Sequence, residues 1–280
     1  MRFVRFNELE NNSKTIFWIG KILRYPYIRI QSFLLEIVAS MRRRGMVDKR
    51  YEKIKTYERK FEGKRCFVVA TGPSLTLDDI KLLDNEYTFA MNSICKLYPD
   101  TDWRPSFYGI QDENVYAELE EILKKEDGVI FASSNLARRF SLPDNFIVYP
   151  LNSKYNYFDF RYSDKLHVKF SSNSYSEVYD AYSITFSLLQ IAIYMGFKEI
   201  YLIGADCNQK VGQKNHFIDM KHVENGDKLL TSAKRNIFSH AEFYKFAKSK
   251  NIKIYNATRG GALEVYPRVT LEEVLARGSI

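Results

Sequence analysis

Lys64 to Leu75 reads Lys-Arg-Cys-Phe-Val-Val-Ala-Thr-Gly-Pro-Ser-Leu, and no other stretch restricts the possible folds as strongly. Arg65 to Ala70 is a short apolar run with β-branched residues, set between charge and Gly72-Pro73, the pattern of a buried strand. Thr76-Leu77-Asp78-Asp79-Ile80 then opens a helix, with Thr76 as its N-cap and two carboxylates in the first turn. A strand entering a small-residue loop at a helix N-terminus points backbone N–H groups outward. Thr71, Gly72, Pro73 and Ser74 are therefore suited to line a phosphate-binding loop, while the plainer reading of an ordinary strand-to-helix turn stays open on the loop alone. The loop has neither the Gly-Lys-Ser/Thr of a Walker A sequence nor the glycine spacing of a dinucleotide fingerprint.

The same rhythm continues. Tyr87–Asn92, Ser106–Ile110, Gly128–Ala132, Phe146–Tyr149, Glu199–Gly204 and Lys253–Asn256 read as further strands, with helices at 115–125, 183–195, 233–250 and 270–275. Alternation of this kind predicts a Rossmann-like α/β fold: a mostly parallel sheet with helices on both faces, forming a single domain. Ligands of such sheets bind at the carboxyl ends of the strands. Asn92, Gln111, Asp112, Ser133 and Asp206 end strands, so they are expected to join Thr71–Ser74 on one rim. Residues 151–180, rich in tyrosine and asparagine, and 208–230, which hold His216 and His222, read as lid or loop insertions in a domain spanning 63–280.

The formal net charge of +8 lies wholly in residues 1–63, with 15 Lys and Arg against 7 Asp and Glu, while residues 64–280 carry 27 of each sign. A neutral body predicts no nucleic-acid partner. Residues 1–62 form a basic amphipathic helical segment whose apolar runs, cut by Lys21, Arg24, Pro26 and Arg29, fall short of the ~18 residues of a spanning helix. Residues 15–47 suit either an anionic membrane surface or packing on the domain or in a homo-oligomer, and both placements stay open at this point. Three scattered cysteines and no secretory leader point to the cytoplasm, peripheral at the inner face of the cell membrane.

Lys64–Leu75, Phe89–Ser93, Trp103–Glu113, Leu189–Asp206 and Asn215-His216-Phe217 resemble the 6-hydroxymethylpterin diphosphokinase-like domain, which also occurs in motility-associated flagellin glycosyltransferases and in proteins of bacterial surface-polysaccharide synthesis. The Gly-Pro-Ser-Leu loop, Asn92, residues 196–206 and residues 251–255 also resemble bacterial sialyltransferases that use CMP-sialic acid. The resemblance covers roughly residues 63 to 265 and departs from the sialyltransferase pattern at Ala70-Thr71, where that family usually has Gly-Asn before Gly-Pro-Ser.

The sialyltransferase resemblance implies a CMP-sugar across the strand ends, held by Gly72–Ser74 and Asn92, with Asp206 near the cytidine or its ribose and Ser183 and Thr185 at the departing phosphate. It implies no metal, an inverting displacement and a histidine base. No histidine aligns directly with that base; His216 is the first candidate and His222 the second, because imidazole titrates near neutral pH. His240 and His167 read as structural or uninformative. The diphosphokinase resemblance implies instead Mg-ATP and a pterin, with Asp112 and Asp206 as metal ligands. A polysaccharide assembly factor without catalysis is the third reading. The first ranks highest: a transferase moving sialic acid or another nonulosonic acid from a CMP-sugar to a glycan or glycolipid acceptor.

Overall fold

The computed structural model describes residues 14–46, 49–157, 166–208 and 226–278. The strands in chain order are β1 (Arg65–Val69), β2 (Thr88–Met91), β3 (Phe107–Ile110), β4 (Val129–Ser133), β5 (Phe146–Tyr149), β6 (Leu151–Asn152), β7 (Val178–Tyr179), β8 (Glu199–Ile203) and β9 (Lys253–Asn256). The helices are α1 (Lys14–Arg43), α2 (Glu52–Lys55), α3 (Leu77–Lys81), α4 (Glu113–Leu123), α5 (Ser134–Arg139), α6 (Ile184–Tyr194), α7 (Gly226–Ser249) and α8 (Leu271–Ala276). Seven strands pair in parallel in the order β5-β4-β3-β2-β1-β8-β9, and β6 pairs with β7 separately.

The chain steps outward from β1 to β5, then returns to the opposite side of β1 for β8 and β9. That reversal leaves a crevice between the carboxyl ends of β1 and β8, the position at which open α/β sheets bind ligands. The strands are mostly apolar and buried because both faces are covered. Cys66 and Val68 of β1 enter one core with Leu188, Leu189 and Ile191 of α6 and Phe243 of α7. Phe67 and Val69 enter the other, with Ile80 of α3, Tyr116 and Leu119 of α4, Leu136 of α5 and Val274 of α8. The Rossmann-like parallel sheet with helices on both faces is thus what the alternation of strands and helices predicts.

Two features of the packing correct the sequence reading. The body begins before residue 63: Tyr51 and Ile54 are buried in the first core, and the Arg59, Phe61 and Gly63 amides donate to the carbonyls of Tyr194, Met195 and Gly196 at 3.0, 2.8 and 3.0 Å. Second, part of the 151–180 insertion is built into the core rather than lying over it as a lid. Tyr175, Val178 and Tyr179 are buried there, and Asn152 donates to Glu177 at 2.8 Å beneath them. Its aromatic content pays for that burial, which a solvent-facing loop would not need. Among the described residues no helix is long and apolar enough to cross a membrane.

Candidate functional site

The loop after β1 does not offer the free amides its sequence suggests. The Gly72 N–H donates to the Gly204 carbonyl at 2.8 Å, and the Leu75 N–H to Gly72 at 3.2 Å. Asp206 reaches over from the end of β8 and accepts from the Ser74 hydroxyl at 2.8 Å and, more weakly, its N–H at 3.4 Å. Thr76 caps α3 in a reciprocal capping box with Asp79, so that helix start is also occupied. A phosphate here would face a buried carboxylate, and the phosphate-cradle expectation is corrected on that ground. Burial holds the Asp206 carboxyl above the usual carboxylate range, with the Ser74 hydrogen bonds pulling it partly back. Such a group accepts hydroxyl or amino donors.

Contact this close needs glycine: a Cβ on Gly72 would lie 2.0 Å from Asp206 Oδ2 and 2.4 Å from the Gly204 carbonyl. Gly204, at φ +65°, supplies the left-handed turn that brings Asp206 back over β1. Thr258, past β9, holds this turn by accepting the Ala205 N–H at 3.0 Å.

One strand over, Asn92 sits at φ +49°, a left-handed conformation that non-glycine residues adopt chiefly where the surroundings impose it. Its carbonyl accepts from the Tyr108 hydroxyl and anchors the turn, and its half-buried carboxamide has no hydrogen-bond partner among the described residues. Beside it the N-terminus of α6 arrives at the end of β2, with Thr185 Oγ1 3.5 Å from Met91 Sδ and 3.1 Å from Ser183 Oγ. Ser183 caps α6, accepting the Thr185 N–H at 3.3 Å. The positive end of this eleven-residue helix, flanked by two hydroxyls, is the part of the rim that suits an anion.

Gln111, at the end of β3, acts from the wall. Its Oε1 accepts from Ser187 of α6 at 2.6 Å and from Tyr149 of β5 at 3.1 Å, and its amide supports Asp180. Asp180, which the sequence reading passed over, lies just past β7 and accepts the Tyr182 N–H at 3.1 Å. Burial pushes its carboxyl up to about 6, and the neighbouring charge of Asp112 adds to the rise. Its signal in the sequence is slight: an aspartate three residues before a helix N-cap, inside a segment with no periodicity. Arg235 of α7 also reaches this end of α6, its guanidinium 5.6 Å from the Tyr182 ring.

Other candidates are structural. Ser133 is fully buried, donates to the Gln111 carbonyl at 3.0 Å and caps α5, so it has nothing left for a ligand. Asp112 Oδ1 caps α4 by accepting from Asn114 and Val115 at 2.8 and 3.0 Å. Asp112 and Asp206 end β3 and β8, with β2 and β1 between them. Three strand spacings place those ends about 14 Å apart, too far to share an ion whose ligands sit at about 2.1 Å. His216 and His222 lie outside the described residues. His240 is buried against Phe186 and Tyr266, as a core residue.

Gly72, Ser74, Asn92, Asp112 and Asp206 therefore line consecutive strand ends of one rim, with Asp206 and the β1 loop in direct contact. A solved structure, the MAf glycosyltransferase from Magnetospirillum magneticum AMB-1, is similar over 80% of this chain and 38% of its own, at 15% identity and a TM-score of 0.46. This chain thus spans less than half the length of that protein. No curated protein matches the sequence. The profile of 6-hydroxymethylpterin diphosphokinase MptE-like proteins matches residues 45–212, which take in β1 to β8 and the crevice loops through Asp206. With more than half of its length so matched, the chain belongs to the 6-hydroxymethylpterin diphosphokinase MptE-like family.

Proposed function

We propose that this protein is a glycosyltransferase of surface-polysaccharide synthesis, moving sialic acid or another nonulosonic acid from a CMP-sugar to a glycan or glycolipid acceptor. The observation that carries this reading is the division of the rim by charge. The Asp206–Ser74 pair accepts hydroxyl or amino donors, as a cytidine or its ribose presents, while the α6 N-terminus with Ser183 and Thr185 suits a phosphate. Asn92 lies between them, its carboxamide without a hydrogen-bond partner among the described residues. In this reading the acceptor hydroxyl attacks the anomeric carbon, the bond from that carbon to the phosphate oxygen breaks, and CMP leaves with inversion and without a metal. The acceptor proton passes to His216 or His222, or to Asp180, whose raised carboxyl also suits a base near neutral pH.

The family description favours a second reading, pyrophosphoryl transfer from Mg-ATP to a pterin. It asks for phosphates at the β1 loop, where the amides are already engaged, and for metal ligands other than Asp112 and Asp206 acting together. Thermal unfolding separates the two. CMP is expected to raise the melting temperature more than ATP with Mg²⁺, since a ligand at 100 times its Kd stabilises by about 2.7 kcal/mol. The reverse ranking establishes the kinase reading, and no shift with either nucleotide favours a non-catalytic assembly factor.

A further inference from the structure

We infer that α1 is an in-plane docking helix that seats the molecule on an anionic lipid surface. The helix is 30 residues long and lies along the body by one narrow face: Ile28, Ser32 and Ala39 are buried. Ile19, Ile22, Leu23, Ile30, Phe33 and Leu34 recur at three- and four-residue spacing on the opposite face, each between 48% and 69% exposed. An apolar face of that size on a helix already packed by its other side is built to be covered.

Charge and shape select the cover. The helix carries six Lys and Arg against a single acid, Glu36, and that carboxylate is held by Lys169 at 2.9 Å. Arg43, the last of these six, and Arg44 just past the helix are both exposed. A second copy of the helix would bring like charge against like charge, and a helix pair needs a narrow seam. Here the exposed apolar arc covers about half the circumference at 100° per residue, and Pro26 stands exposed within the stripe. Trp18, Tyr25 and Tyr27 border it, the residue types that favour the water–lipid boundary. Anionic headgroups neutralise the exposed Arg29, Arg43 and Arg44 while the stripe enters the acyl boundary.

The seat is oriented by contacts with the body. Glu36 is also 3.3 Å from the Tyr179 hydroxyl, Arg42 donates to the Ser176 carbonyl, and the Arg29 guanidinium lies 5.5 Å from the Tyr155 ring. Docking would therefore bring Tyr155 and residues 176–179, which lead into Asp180 and the α6 N-terminus, close to the lipid. The inference concerns where the molecule sits and holds whatever the crevice transfers.

The test uses the full chain with vesicles of phosphatidylcholine alone or with phosphatidylglycerol. Flotation is expected to show at least tenfold tighter binding to the anionic vesicles, lost at least tenfold in the Ile30→Asp, Phe33→Asp double variant while its melting temperature matches the parent. The chain has two tryptophans, Trp18 57% exposed and Trp103 buried with 5% exposed, so brominated acyl chains should quench Trp18 emission in the unmutated protein, a readout independent of how the variant folds. Absence of anionic binding and of quenching overturns the inference. So does a dimer in lipid-free buffer that the double variant splits, which would make a second copy the cover.

Discussion

Asp180 illustrates what a single residue's setting does to its chemistry. Its carboxyl is held at about 6 because burial removes water from the charged form, and the Tyr182 N–H and the Gln111 amide only partly compensate. If Asp180 takes the acceptor proton, it must be ionised to act, so the transfer rate should climb with pH through about 6. Asp180→Asn should then lower kcat by about 10²- to 10⁴-fold and abolish the acidic limb, with the Kd for CMP changed little. Steady-state rates from pH 5 to 8 check this, and full activity in the variant would leave His216 and His222 as the bases. Ser74 and Asp206 show the same dependence on setting: alone each is an ordinary loop residue, and together they form a hydrogen-bonded pair across the ends of β1 and β8.

At the scale of elements, the position of α6 sets which helix end stands at the rim. The helix crosses the middle of the sheet, with Leu188 packed where a Cβ on Gly109 would stand, 2.6 Å from Leu188 Cδ2. Gly109 thereby lets the α6 N-terminus come down to the end of β2, where Thr185 meets Met91. Gly109→Ala should destabilise the protein by about 1–3 kcal/mol through overpacking of a fully buried contact. Adding Leu188→Ala should recover part of that loss, because the two side chains compete for one space. Urea midpoints of the two single variants and the double variant measure the coupling, and strict additivity would show that Gly109 does not set the height of the helix. The interruptions of α1 by charge and Pro26 belong to this scale too: they deny the helix a spanning length while leaving one face apolar.

For the whole molecule, His240 links stability to pH. Its ring is buried between Phe186 and Tyr266; the Tyr266 hydroxyl donates to the His240 carbonyl at 3.2 Å and meets Nδ1 at 3.0 Å. Burial lowers its pKa from 6.5 to about 3, so the native protein keeps the ring neutral over a range where the unfolded chain takes up a proton. The sign follows: this stability is fully present above pH 6.5 and drains away as pH falls toward 3. Between pH 6.5 and 5 the loss should reach about 2 kcal/mol. His240→Gln should flatten that part of the profile in urea titrations, and an unchanged slope would assign it to other groups.

What the amino-acid order alone determined was local. Both-face burial writes Cys66–Val69 and Ile200–Ile203 as unbroken apolar runs, and Thr76 and Ser183 announce helix starts through side-chain capping, so the sheet and the strand-end positions of Gly72, Asn92 and Asp206 could be read directly. The tertiary structure decided how those positions are spent. It gave the Ser74 amide to a carboxylate 132 residues away, used Ser133 as a cap, buried Tyr175 and Tyr179 where a lid was expected, and raised the Asp180 carboxyl. Strand and cap signals arise between near neighbours in the chain, whereas hydrogen-bond occupancy and protonation depend on groups that only folding brings together.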